Sequence, residues 1–244
     1  MVELSVERAA KVLGSNGQLR VAINYGNSVL AQKDPVSGEP GGVSVDLAKE
    51  LATRLSLNVK FYTFEAARSV VEAIKEGRCE LAFLAIDPLR GEHLSYTEPY
   101  VKILGGYLTA ASAPYITVDD VDQAGIRIAV GKNAAYDLYL SRTITKAELR
   151  RASTTSGAVD LFLSDKLDLA AGIKPALLAY AQKRPGLKVL DGAFMEIKQA
   201  IGVPRRFEKV IPYLNKFVAE MLDCGFIQNR LEASGQDPNI AVSR

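Results

Sequence analysis

Residues 80–86 read ELAFLAI, a short and almost entirely apolar run that decides the fold class. Such a run is typical of a strand buried on both faces of a parallel sheet. Upstream, Gln18–Ile23 alternates polar and apolar residues and Asn58–Phe64 is also extended, while Val45–Leu55 and Ala66–Glu76 have helical spacing. The order β-α-β-α-β predicts an α/β architecture with right-handed crossovers.

The same alternation of strands and helices restarts in the second half, so we expect two α/β units. The elements predicted outside the first sheet are a helix at 4–13, a loop at 24–42, strands at 105–111 and 126–130, a helix ending at Leu140, a helix at 158–164, a turn and strand at 165–171, a helix at 174–182, strands at 189–190 and 196–203, a long helix at Phe207–Cys224 capped by Gly225, and a last turn or two at 227–234.

The composition excludes several classes of protein. With 48% hydrophobic and 24% charged residues, the chain is neither disordered nor a disulfide miniprotein. A net charge of +2 without a basic stripe argues against nucleic-acid binding. No apolar stretch reaches the roughly 18 residues of a membrane span. With only one histidine and two cysteines, the chain lacks the usual ligand set of a zinc site, so we expect none.

The first 20 residues contain no apolar core like that of a secretory signal peptide. Two locations follow as alternatives: the protein is cytoplasmic, or this chain begins after a cleavage site and the protein is periplasmic. Cys79 and Cys224 are expected to be thiols packed in the interior, although their pairing cannot be deduced from sequence.

Three ordered motifs resemble the bacterial extracellular solute-binding proteins of family 3, the polar-amino-acid receptors of ABC importers. Residues 19–23 (LRVAI) and 42–52 (GVSVDLAKELA) resemble the family's opening strand and its GFDVDLA element. Residues 79–100 resemble a block of the family in which an acid and four apolar residues are followed by PER and then by DFS-x-PY. Arg90 lies ten residues before Tyr100, as in the family. Residues 125–131 (GIRIAVG) resemble the first strand of the second lobe.

The resemblance implies an α/β, two-lobed type II periplasmic-binding fold. Lobe 1 would take residues 1–107 plus 200–244 and lobe 2 residues 108–199, with hinge strands near 106–109 and 198–201. Such lobes close around a ligand by hinge motion. It further implies a small carboxylate-bearing solute, an ABC permease as partner, a monomer, and no metal or organic cofactor.

Arg90 is the leading candidate for a ligand contact, because a planar guanidinium holds a carboxylate through two parallel hydrogen bonds. The matching arginine of the family binds the ligand's carboxylate, so we expect Arg90→Ala to abolish binding and leave the fold intact. Asp87 stands where the family usually has a small hydroxyl residue. It would orient Arg90, meet a cationic ligand group, or only cap a helix ahead of Pro88.

Asn24, Tyr25 and Asn27 follow the first strand, at the edge where open α/β sheets bind ligands. The family often carries two aromatic residues here that sandwich the ligand. Only Tyr25 remains in this chain, which favours a polar or small ligand. The alternative is that these are ordinary turn residues.

Residues 131–136 lead from a strand into a helix, and helix N-termini present free backbone N–H groups to anions. The family uses this loop as a second carboxylate clamp, which makes Asn133, Ala134 and Tyr136 candidates. Asn133 as a plain helix cap and Tyr136 as a packing residue are the alternatives. Gln199, on a late strand, is a further candidate.

The chain departs from the family in lobe 2, where an aspartate usually pairs with the ligand's α-ammonium. That position falls on Gly172 or Ile173. An unpaired buried ammonium is costly. Either Asp87 or Glu196 replaces the missing acid, or the ligand is a carboxylate without an α-amino group.

Two other functions stay open. Cyclohexadienyl dehydratases share this fold and use an acidic group in the cleft; Asp87 is the one candidate acid here. No Ser-His-Asp or Cys-His set is found, because the single His93 lies in a stretch that reads as exposed, and no catalytic residue is assigned. An intracellular ligand-sensing module is the third reading.

Overall fold

A computed structural model describes residues 4–243 of the chain. The fold divides into two compact units. Unit 1 runs to Lys102 and resumes at Lys198, and unit 2 is Ile103–Ile197.

Unit 1 has a parallel sheet with helices packed against it. Its elements, including two strands that continue into unit 2, are α1 (Val6–Leu13), β1 (Gln18–Asn24), β2 (Gln32–Lys33), β3 (Pro40–Gly41), α2 (Val43–Arg54), β4 (Asn58–Phe64), α3 (Ala67–Lys75), β5 (Leu81–Ala85), α4 (Pro88–Gly91), β6 (Leu94–Tyr96), β7 (Val101–Ala110), and, after unit 2, β12 (Met195–Pro204), a 3-10 helix (Arg205–Val210), α8 (Ile211–Asp223), α9 (Phe226–Ala233) and a 3-10 helix (Pro238–Ile240).

Unit 2 is also α/β. Its elements are a 3-10 helix (Val118–Asp120), β8 (Arg127–Gly131), α5 (Ala135–Thr143), β9 (Glu148–Ala152), α6 (Gly157–Ser164), β10 (Leu169–Ile173), α7 (Lys174–Gln182) and β11 (Leu187–Val189), together with the adjoining parts of β7 and β12.

In unit 1, β1 pairs in parallel with β4 and β5, and β12 runs antiparallel to β5 and β6. Every residue of β5 is buried, as expected for a central strand covered on both faces. Ala22 of β1 and Leu84 of β5 pack with Val70 and Ile74 of α3 in one core cluster. The neighbouring residues of each strand point to the opposite face.

In unit 2, β10 lies between β7, which is antiparallel to it, and β8, which is parallel. Each face has its own core cluster: Tyr136 and Leu140 of α5 cover one, while Phe162 of α6 and Leu177 of α7 cover the other. This layering, with the parallel strands of both units, confirms the predicted α/β class.

Some details differ from the sequence predictions. The long helix predicted at Phe207–Cys224 is wrong in its first part, because Pro212 sits in the first turn of α8 and the preceding residues form a 3-10 helix. The loop predicted at 24–42 contains the short β2–β3 hairpin. The interior position expected for both cysteines holds for Cys79 but is wrong for Cys224, which is exposed just after the end of α8.

Candidate functional site

In unit 1 the candidate residues gather at one edge of the sheet. Val21 pairs with Leu81 in the parallel β1–β5 ladder, so both strands end on the same side. The loop after Asn24 and the turn after Ala85 are therefore neighbours at the carboxyl edge, the usual ligand position in open α/β sheets.

Arg90 lies at this edge with only 5% of its surface exposed. Its Nη1 donates a hydrogen bond to the carbonyl oxygen of Ala85 at 3.1 Å. Burial lowers the pKa of Arg90, while Tyr96 and Asp87 oppose this shift by favouring the charged form. Because a guanidinium stays charged in proteins, the edge holds a buried cation.

Asp87 is 4% exposed and caps the short helix that carries Arg90. Its Oδ1 accepts a hydrogen bond from the Leu89 N–H at 2.9 Å, and Pro88 follows in the first turn. Asp87 is thus the N-cap of α4, while its expected roles toward Arg90 and toward the ligand stay predictions. The cap fixes the turn from β5 to α4 and, through it, the position of Arg90.

The loop after β1 is held by its own backbone. Asn24 Oδ1 accepts the Gly26 N–H at 3.0 Å, and the Asn24 carbonyl accepts the Asn27 N–H at 3.2 Å. The Asn27 carbonyl in turn accepts the N–H groups of Leu30 and Ala31, both at 3.1 Å. Asn27 is 9% exposed, and its Oδ1 is buried without a hydrogen-bond partner among the described residues.

Two further candidates flank this edge. Tyr25 is half-buried, its N–H bonds to the Phe64 carbonyl at 2.8 Å, and burial, assisted by two nearby glutamates, raises the pKa of its phenol. Gln199 is buried on β12 directly opposite Ala85, and its carbonyl accepts the Tyr100 N–H at 2.9 Å. Cross-strand partners share a face, so the Gln199 side chain lies beside the turn that leads to Arg90.

In unit 2 the loop after β8 is closed largely on itself. Asn133 has a left-handed backbone (φ 59), and its N–H donates to Asp137 Oδ2 at 2.8 Å. Ala134 is the N-cap of α5, so the alternative in which Asn133 caps this helix is wrong. Tyr136 is buried, and its hydroxyl lies so close to Gly131 that a Cβ there would come within 2.9 Å of it.

Asp137 is the residue of this region that the sequence analysis missed. It is 1% exposed and forms an ion pair with Arg151, whose Nε lies 3.0 Å from its Oδ1. An acid in the first turn of a helix complements the helix dipole, which is the signal in the sequence that would have found it. The carboxylate of Asp137 therefore already accepts the Asn133 N–H, one of the backbone donors of the predicted clamp.

The end of β10 carries no acid. Gly172 pairs with Gly106, and a Cβ on Gly172 would approach Leu177 Cδ2 to 3.0 Å. Ile173 is the N-cap of α7 and makes no side-chain capping bond. The first turn of α7 has no acidic residue. Close packing of Leu177 against β10 explains why a glycine suits position 172.

Other features bear on the class of protein. Within residues 4–243, no set of three or more His, Cys, Asp or Glu side chains is arranged to hold a metal ion. None of the helices in that part of the chain has the length and apolar character of a membrane span.

Comparisons with known proteins identify the family. The family model described as "Bacterial extracellular solute-binding proteins, family 3" matches residues 19–232. Among curated proteins, no match is found.

Solved structures show the same fold. An amino acid ABC transporter substrate-binding protein from Streptococcus pneumoniae Canada MDR_19A, bound to L-arginine, has a TM-score of 0.78 at 21% identity, with 93% of this chain and 97% of that chain covered. A putative ABC transporter binding component from Wolinella succinogenes DSM 1740, complexed with lysine, has a TM-score of 0.78 at 20% identity, covering 90% and 96%.

A third similar structure is an ancestral amino acid-binding protein, AncCDT-1, described as a precursor of cyclohexadienyl dehydratase, with a TM-score of 0.77 at 19% identity and 92% and 97% coverage. The likeness confirms the predicted type II periplasmic-binding fold. The family match extends over most of the sequence, from the first residue of the LRVAI motif to α9. The chain belongs to the bacterial extracellular solute-binding proteins of family 3.

Proposed function

We propose that this protein binds a small carboxylate-bearing solute, an amino acid or a related organic acid, and presents it to an ABC permease. Arg90 holds the carboxylate and Tyr25 covers it. Asn24, Asp87 and Gln199 in unit 1 and Asn133, Ala134, Tyr136 and Gly172 in unit 2 stay predicted contacts.

The observation that carries this proposal is the buried Arg90 guanidinium at the carboxyl edge of β1 and β5. A buried cation is costly unless anions approach it. Asp87 is close enough to favour the charged form of Arg90, and its Oδ1 also accepts a hydrogen bond from the Leu89 N–H. A ligand carboxylate would place a further anion beside this buried cation.

The ligands of similar proteins support the solute class. The compared structures hold L-arginine and lysine, and an ancestral arginine-binding protein of 20% identity and TM-score 0.76 holds glutamine. All three ligands carry an α-carboxylate. The family is described as extracellular, which supports delivery of the solute to a permease from outside the cytoplasm. A monomer is the expected state.

Thermal unfolding against a panel tests the proposal. The protein is first unfolded and refolded to remove any carried-over ligand, then mixed with L-amino acids, 2-hydroxy acids and plain carboxylates. A ligand at about 100 times its Kd adds about 2.7 kcal/mol to stability, which for a chain of this size raises Tm by roughly 5–11 °C. If no compound of the panel raises Tm, the proposal is wrong.

A dehydratase activity is the second candidate, suggested by the likeness to AncCDT-1. Asp87 is the candidate acid among the described residues; because its Oδ1 accepts the Leu89 N–H, a general-acid role would need its other oxygen to donate the proton. Incubation with prephenate separates the two functions: turnover that Asp87→Asn abolishes would establish the enzyme, and its absence favours the receptor.

A further inference from the structure

A cavity in unit 1 lies at the edge of the sheet opposite to Arg90. Arg20 stands near the start of β1 and Glu80 directly precedes β5, whereas Arg90 follows the carboxyl ends of these parallel strands. The cavity has a volume of about 530 Å³, within the range of about 300–1,000 Å³ that is typical of small-molecule sites. The charged residues that line it are one acid, Glu80, and four bases, Lys11, Arg20, Arg206 and Lys209. We call it the basic cavity.

The charge of the basic cavity is unbalanced. Its formal excess of three positive charges is larger than the net charge of +2 of the whole chain. Glu80 is already engaged, because its Oε1 accepts the Nε–H of Arg20 at 3.0 Å and its Oε2 accepts the backbone N–H of Arg20 at 3.1 Å. Lys11, Arg206 and Lys209 form no ion pair with any residue of the described range 4–243.

Ordinary structural roles account for single members of this set but not for their convergence. Lys11 lies in the last turn of α1, where a cation complements the helix dipole, and the Arg206 guanidinium lies 4.7 Å from the centre of the Phe207 ring. Arg20 Nη2 donates to the Gly77 carbonyl at 2.9 Å, and a Cβ on Gly77 would lie 3.6 Å from Arg206 Nη2. The two guanidinium groups therefore approach the same residue from different elements. Like charges held close to one another are unfavourable, and a bound anion would relieve this repulsion.

We propose that the basic cavity binds a small anion with several negative charges, of the di- or triphosphate class. A guanidinium fork matches the geometry of phosphate oxygens, and a lysine ammonium binds phosphate as a point charge. A di- or triphosphate group can offset an excess of three positive charges, which the single carboxylate proposed for the Arg90 edge cannot. The proposal goes beyond the proposed function and shares no residue with it.

Calorimetry and thermal unfolding with inorganic phosphate, pyrophosphate and tripolyphosphate test the proposal. The cavity variant removes three of the cations and keeps the ion pair of Arg20 with Glu80; its substitutions are Lys11→Gln, Arg206→Gln and Lys209→Gln. The control variant removes the same charge at exposed residues that do not line the cavity; its substitutions are Lys33→Gln, Lys49→Gln and Arg68→Gln.

We expect the anions to bind wild type more tightly in the order phosphate, pyrophosphate, tripolyphosphate, because each added charge strengthens the attraction. The Kd of tripolyphosphate should rise about 30-fold or more in the cavity variant and stay within about threefold of wild type in the control variant. Without ligand, both variants should unfold close to the wild-type Tm, since all six replaced residues are exposed.

The proposal is overturned if wild type binds none of the three anions. It is also overturned if the cavity and control variants lose affinity equally, which would show only a general attraction of anions to a charged surface. Loss of tripolyphosphate binding in Arg90→Met would place the anion in the solute site and refute the proposal as well. Sedimentation with phosphatidylglycerol vesicles, if it occurs while tripolyphosphate does not bind, would instead assign these cations to a membrane surface.

The same variants separate this proposal from the proposed function. The cavity variant should bind the solutes of the thermal panel as wild type does, because the basic cavity and Arg90 lie at opposite edges of the sheet. If the phosphate anions fail to bind while a carboxylate solute still raises Tm, only the proposal of a basic anion site is lost.

Discussion

Replacement of Arg90 by methionine is the most informative single change, because burial gives this residue a role in folding as well as in binding. Arg90→Met keeps an unbranched side chain of similar length and removes the charge. It leaves the Ala85 carbonyl without the donor that now lies 3.1 Å away. A buried carbonyl that loses its partner costs about 1–3 kcal/mol. The sequence analysis predicts that the fold survives the loss of Arg90, and urea unfolding measures how far its stability falls.

A second variant at Asp87 separates the effect of the lost charge interaction from that of the lost hydrogen bond to Ala85. In Arg90→Met its carboxylate loses a neighbouring cation but keeps the Leu89 N–H. The double variant Arg90→Met/Asp87→Asn removes both charges, so it should unfold at higher urea than Arg90→Met alone. Equal midpoints for the single and double variants would mean that the two charges do not interact in the folded protein.

Binding should fall much further than stability. Truncating one partner of a buried, hydrogen-bonded charge pair costs about 2–5 kcal/mol, so Arg90→Met should raise Kd by about 30-fold to several thousand-fold. Calorimetry with the best ligand of the thermal panel measures this ratio. Arg68→Met is the control, because Arg68 is an exposed arginine of α3. If Arg90→Met binds within about threefold of wild type, Arg90 does not hold the ligand.

Three further predictions test contacts and burial in the structure, two by substitution and one by thiol titration. Arg20 Nε donates a hydrogen bond to the buried Glu80 carboxylate at 3.0 Å, and Arg20→Met removes this donor. The free energy of unfolding in urea should fall by about 2–3 kcal/mol, and a fall below about 1 kcal/mol contradicts the prediction. Asp122 accepts three backbone N–H groups, which lower its pKa below the unfolded value of about 3.9. The stability difference between wild type and Asp122→Asn should therefore be full above about pH 5 and shrink as the pH falls through about 4, and a difference that grows in acid refutes the assignment. Cys224 is exposed, whereas burial raises the pKa of Cys79 to about 11. A thiol reagent at neutral pH should therefore react with one cysteine in the native protein and with two in denaturant. Two reactive thiols before unfolding would disprove the burial of Cys79.

The fold was predictable from sequence wherever apolar spacing alone decides an element. Residues 58–64 and 174–182 have the predicted bounds, since alternation marks the strand and the helix begins directly after the predicted strand that precedes it. β9 was not predicted, because Glu148–Ala152 is mostly charged and pairs only along one side with β8. An edge strand of this kind has no apolar period to reveal it.

The candidate site was predictable in its residue types and not in their contacts. Sequence patterns identified Arg90 and Asn27 as candidates. They could not predict that Arg90 donates to the Ala85 carbonyl, or that Asn27 Oδ1 has no hydrogen-bond partner among the described residues, because both facts depend on neighbours that the sheet brings together. Asp137 was missed although its place in the first turn of a helix was a usable signal, because its ion pair with Arg151 forms only in the folded chain.

The two sheet edges differ in what they leave for a ligand. At the start of α5, the Asn133 N–H already bonds to Asp137, whose carboxylate also pairs with Arg151, so an incoming anion there would have to compete with an internal one. At the edge of unit 1, by contrast, Arg90 is a buried cation whose charged form is favoured by the nearby Asp87 carboxylate. Because an anion is stabilised beside a buried cation and repelled by a carboxylate, the edge that carries Arg90 is expected to supply most of the affinity for a carboxylate.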